Sequence, residues 1–177
     1  MLERTVGDLR IDAGSVLRLV DLSGTFLMNS GFESRYRTGE FGLVTAFAVN
    51  TKVERSASAL LCWVRHRAWC LVGSEELELP DDPEDIPETV IEEHLAWRAE
   101  SEWVAQYTPL DGADLMAPAA EAVTAFGMVM APPTIHPYAR EHFQALVSKS
   151  PYPAFTLPHL TPISQLPDDE VIQIEDA

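Results

Sequence analysis

Cations are scarce in this chain: 12 Lys and Arg stand against 28 Asp and Glu, leaving a net charge of -16. So poor a supply of positive side chains argues against nucleic-acid binding and against anionic membrane surfaces, because both need Lys and Arg on phosphate. Cysteine is nearly absent. Cys62 and Cys70 are too few for a disulfide framework or a closed four-ligand zinc site, and are expected as small buried apolar residues in a reducing compartment. Long hydrophobic runs are also missing, since the longest uncharged stretch, residues 122–139, is interrupted by Pro132, Pro133 and Pro137, which makes a membrane span unworkable. The opening Met1-Leu-Glu-Arg-Thr-Val-Gly-Asp has charges where a secretory signal needs an apolar core, so a cytoplasmic location is expected. The motifs of phosphate, dinucleotide and serine-hydrolase sites are lacking, and no two of the five histidines have the spacing of a helical metal site. Cys62 and His66 would share a strand face, yet no third group orients them as nucleophile and base. No enzyme activity, metal or cofactor is expected.

The acidic excess is unevenly placed. Residues 75–102 hold twelve acids and one base, Arg98, and residues 168–177 hold five acids and none, so these two segments carry the whole imbalance. Such clusters suit a basic protein partner or keep an apolar surface soluble. The apolar residues predict strands over Val16–Met28, Phe41–Glu54 and Ser58–Val72. In the second, Leu43, Phe47, Val49 and Val53 share one face; in the third, Leu60, Cys62, Val64, Ala68, Cys70 and Val72 alternate with a second apolar set. The gap at residues 55–58 predicts an antiparallel hairpin between them. Residues 73–86 read as loop, Pro87–Trp103 as a helix, and Trp103–Leu110 as the candidate fourth strand. Asp114 is placed to cap a helix over Leu115–Met130, stopped by Pro132 and Pro133, and Pro137 opens another running to Ser148. The expected fold class is α+β: an antiparallel sheet of about four strands with two C-terminal helices on one face. A single domain over residues 1–167 carries an acidic helical insertion at about 74–102, and 168–177 form an acidic flexible tail.

On the last helix Tyr138, His142 and Ala145 are spaced three and four apart, with Phe143 and Leu146 beside them. That broad apolar face suits either the chain's own sheet or a second subunit. The following strip, with Tyr152, Phe155, Leu157 and Leu160 among prolines, resists regular pairing and suits a groove wall, with Phe126, Met128 and Met130 offering adaptable contacts.

Pro137-Tyr-Ala-Arg-Glu141 followed by Tyr152, Pro153, Phe155 and Leu157 resembles the signature stretch of the SecB-like export chaperones. The resemblance covers roughly forty residues well and the rest by pattern. It implies an ATP-independent holdase that binds unfolded polypeptides or preproteins in an apolar groove formed by Phe126, Met128, Met130, Tyr152, Phe155, Leu157 and Leu160. It also implies a homo-oligomer, dimer or tetramer, joined through Tyr138, His142, Phe143, Ala145 and Leu146, and hand-over to a basic partner such as the SecA translocation motor or an antitoxin. The alternatives are a chaperone dedicated to one client, such as an antitoxin, and an interaction or structural module, such as a phage-encoded one, that keeps the fold without general chaperone activity.

Overall fold

The structure, a computed structural model, describes residues 2–36, 42–73 and 85–174. The start of the expected second strand at Phe41, the acids of residues 74–84 and the last residues of the tail, 175–177, lie outside them. Chain order is β1 (Leu2–Thr5), α1 (Val6–Leu17), β2 (Val20–Ser34), β3 (Gly42–Arg55), β4 (Leu60–Gly73), α2 (Glu88–His94), β5 (Leu95–Pro109), α3 (Ala120–Val147) and β6 (Val171–Ile174), with a 3-10 turn at Ile163–Gln165. Strands β2 to β5 form one antiparallel sheet in the order β2-β5-β4-β3, and β1 pairs with β6 apart from it. This is the expected α+β arrangement of four antiparallel strands, with β2 and β3 as its two edges.

The β3–β4 hairpin matches the alternation of its residues. Val53 faces Cys62, Val49 faces His66 and Phe47 faces Ala68, all on the side that α3 covers. The turn between the strands is closed by Ser56, whose backbone N–H and side chain both reach the Ala59 carbonyl.

Four expectations are corrected. The strand expected over Val16–Met28 begins at Val20, because Val6, Leu9, Ala13 and Val16 recur three and four apart as the buried stripe of α1, which Thr5 caps at the Asp8 N–H. The helix expected over Pro87–Trp103 ends at His94. From Leu95 the chain is β5, hydrogen-bonded to both β2 and β4, so the second half of the expected insertion is the centre of the sheet. A strand covered on both faces carries apolar residues at consecutive positions, here Leu95, Ala96 and Trp97, and that pattern resembles a helical stripe.

The two expected C-terminal helices are a single helix of 28 residues that begins at Ala120, after Asp114 caps a turn at Met116, and contains Pro132, Pro133 and Pro137. Each proline removes an N–H from the helical ladder at a cost of roughly 3 kcal/mol in an isolated helix. Burial outweighs that cost: Phe126, Val129, Pro132, Ile135, His136, Ala139, Phe143 and Val147 continue one buried stripe straight through the prolines. Thr134 also donates its hydroxyl to the Met130 carbonyl at 2.7 Å. Lastly, part of the tail expected to be free is paired: Val171–Ile174 lie antiparallel to Leu2–Thr5.

Helix and sheet come together at Gly127, where an added Cβ would collide with Val53 Cγ2. Gly127→Ala is therefore expected to lower stability by about 1–3 kcal/mol through overpacking, measured by urea unfolding. Adding Val53→Ala should recover most of that loss; strictly additive losses would remove the contact as its cause.

Candidate functional site

On the helix-covered side of the sheet, α3 packs against β3 at Gly127 and Val53 and leaves part of that edge strand uncovered. The extended segment after α3 fills part of the space. Tyr152 donates its hydroxyl to the Arg35 carbonyl at 2.6 Å near the end of β2, and Phe155 stacks on Trp97 with ring centres 4.8 Å apart. The segment then returns along α3 on the β3 side. Between it, α3 and β3 remains a groove of about 180 Å³ lined by Val49, Thr51, Met128, Pro132, Pro133, Leu160, Thr161, Pro162 and Ile163. Its wall is apolar on three sides and its floor is an edge strand.

Of the seven residues expected to line a groove, the structure brings Met128 and Leu160 together there. Met130 packs partly on the core, while Phe126 is fully buried with its ring edge-on to Tyr107. Tyr152, Phe155 and Leu157 belong to the cluster around Trp97 and Phe143, and Leu157 is fully buried. These side chains position the groove wall without facing the groove. The residues that sequence reasoning missed are Val49, Thr51, Pro132, Pro133, Thr161, Pro162 and Ile163. The alternation of β3 had put Val49 on the correct face, but edge position depends on pairing, and Pro132 and Pro133 were read as helix stops.

Two devices hold the extended segment in place. Arg10 of α1 donates to the carbonyls of Ser164 and Leu166 and pairs with Asp168. Further up, His136 Nε2 donates to the Pro158 carbonyl at 2.8 Å. A carbonyl only accepts, so the neutral His136 ring presents Nδ1 as an acceptor, and His66 Nε2 on β4 donates to it at 3.3 Å. Helix, sheet and extended segment thus meet in one buried relay. Burial, together with the neighbouring His136, pushes His66 down to about 3, and burial also lowers His136. Burial raises the thiols of Cys62 and Cys70, to about 12 and about 11, so neither is a ready nucleophile.

The residues expected at an oligomer interface divide. Phe143 is fully buried against its own sheet, which corrects its assignment to an interface, and Leu146 packs partly on the same cluster. Ala145 is exposed. Tyr138 is 48% exposed and lies 6.0 Å from the Trp103 ring, and His142 is hydrogen-bonded to the Ser30 hydroxyl of β2. Beside them Leu22 and Leu27 of the β2 edge are 46% and 40% exposed, and their partners Tyr107 and Trp103 put both on the helix side. Sequence reasoning missed these two leucines because an edge strand of apolar residues looks like a buried one.

The two edges differ. β2 has register shifts between Leu22 and Gly24 and between Leu27 and Asn29, and bulges discourage further strand addition. β3 pairs with β4 without a shift over its full length, leaving its outer edge regular. The opposite face of the sheet bears a larger cavity of about 530 Å³. Ion pairs along it join Arg65 with Glu100 at 2.7 Å and Arg98 with Glu33 at 2.8 Å. Among the described residues no helix is long and apolar enough to cross a membrane.

No family model matches the sequence, and no curated protein matches it. Among solved structures, the chain is similar to a SecB-like chaperone of Mycobacterium tuberculosis in complex with an antitoxin peptide. The TM-score is 0.64 and the identity 17%, over 86% of this chain and 99% of that one. At that identity the likeness establishes the fold.

Both relay histidines are lowered, so the folded state holds them neutral while the unfolded chain protonates them below about pH 6.5. Their contribution is complete above that pH and is lost as pH falls. Between pH 7 and pH 5 His66 alone is expected to cost about 2 kcal/mol of unfolding free energy. His66→Gln should flatten that slope in urea titrations; an unchanged slope would mean that the relay is not what titrates.

Proposed function

We propose that this protein is an ATP-independent chaperone of the cytoplasm that holds unfolded polypeptide in an extended form along β3. The observation that carries the reading is the regular edge of β3, which no strand pairs among the described residues, beside an apolar groove lined by Met128, Pro132, Pro133, Leu160 and Ile163. A client strand added to that edge gains backbone hydrogen bonds that do not depend on its sequence. Alternate side chains then enter the groove, where a methionine and prolines adapt to different shapes. Release requires hand-over to a partner, for which the acidic excess of the chain favours a basic one such as a translocation motor.

Two forms of the reading differ in breadth. A general holdase serves export or protection of many chains. A dedicated chaperone serves one client, and the antitoxin peptide bound to the mycobacterial neighbour favours this form. Leu22, Leu27, Tyr138, His142 and Ala145 form the surface through which copies of the chain assemble into a dimer or tetramer, burying the apolar edge that β2 would otherwise expose.

An aggregation assay with an unrelated unfolded polypeptide tests the first part. At equimolar chaperone, aggregation should slow markedly, and Met128→Asp, which places a charge in the groove, should weaken the effect by about tenfold. Suppressing nothing while binding one defined protein tightly would establish the dedicated form; binding neither would end the chaperone reading. Light scattering tests the assembly. Wild type should have the mass of a dimer or tetramer and Tyr138→Asp a smaller one, whereas a monomeric wild type would remove the interface.

A further inference from the structure

We propose that the seam between α3 and the extended segment ends in a carboxylate-binding site made by Arg140 and His159, which favours clients carrying a carboxylate about three residues from their apolar anchor. The inference rests on the reading of the groove as a client site and adds a chemical requirement to it.

Arg140, like Arg18 and Arg55, has no ion pair among the described residues. Arg4, Arg10, Arg35, Arg65 and Arg98 each pair with a carboxylate, as is natural with 28 acids and 12 bases. Among the described residues no carboxylate lies within ion-pair reach of Arg140. Its Nη1 instead lies 3.3 and 3.4 Å from the two ring nitrogens of His159, and its Nε is buried without any hydrogen-bond partner. A buried donor left unmade is costly, and a carboxylate is the acceptor whose two oxygens fit a guanidinium edge. The single positive charge matches a monoanion better than a doubly charged phosphate.

The position ties this cation to the groove. His159 immediately precedes Leu160, and Arg140 follows Pro133 by seven residues. Pro133 and Leu160 line the groove, so the same two elements run on to the Arg140–His159 contact. Seven helical residues rise about 10 Å, which an extended client covers in about three residues. A carboxylate there comes from an Asp or Glu side chain or from the end of the client chain.

The experiment measures binding of the full-length protein to three fluorescent peptides with one apolar core. The first is neutral with an amidated end, the second has a Glu three residues from the core, and the third ends there in a free carboxylate. One or both carboxylate peptides should bind about tenfold tighter than the neutral one, and which one gains identifies the source. Arg140→Gln should bring them down to the affinity of the neutral peptide, with Arg140→Lys retaining part of the advantage. Equal affinities of wild type for all three, or a preference that survives Arg140→Gln, would overturn the carboxylate site and leave the client groove standing. Should Arg140→Gln fail to fold, the comparison of the peptides on wild type still decides. If wild type binds none of the three, the groove itself fails as a client site, and this inference with it.

Discussion

The structure depends on one constraint: a four-stranded sheet has a single long helix to cover one of its faces. The buried stripe of α3 must therefore run unbroken from Phe126 to Val147, through three prolines that would end an isolated helix. The stripe holds because each buried position rests on the sheet or on α1, and the packing offsets the lost ladder bonds. Without that continuity the sheet would expose Cys62, Val64, Ala68 and Cys70, all of which are sealed.

One helix is narrower than four strands, and the groove is the remainder. On one side the gap is open at β2, where Leu22 and Leu27 stand beside Tyr138. On the other side the extended segment covers β3 only in part. That segment has no ladder of its own and is fastened at points: Tyr152 to Arg35, His136 to Pro158, Arg10 to Ser164 and Leu166. A wall held at points rather than continuously can adjust between them, which suits a site for chains of different sequence. The histidine relay is a fastening whose strength falls as pH falls, because the histidines become protonated in the unfolded chain.

The electrostatics divide by face. On the side of the sheet away from α3, Arg65 pairs with Glu100 and Arg98 with Glu33. Arg140 stands at the end of the seam, with no carboxylate partner among the described residues and its contacts made to His159.

The sequence by itself determined the hairpin of β3 and β4, the existence of a fourth strand near Trp103, the burial of both cysteines and the apolar character of residues 126–157. These follow from local alternation and composition, which a strand keeps wherever it sits. Met128 and Leu160 were legible as adaptable apolar side chains for the same reason. What only the tertiary structure decided is which neighbour each element found. Leu95–Glu102 became the central strand because it pairs on both sides, residues 120–147 stayed one helix because the sheet beneath rewards it, and Phe143 turned inward. The edge position of β3 and the pairing of Arg140 with His159 depend on contacts between residues far apart in the chain, which no local pattern records.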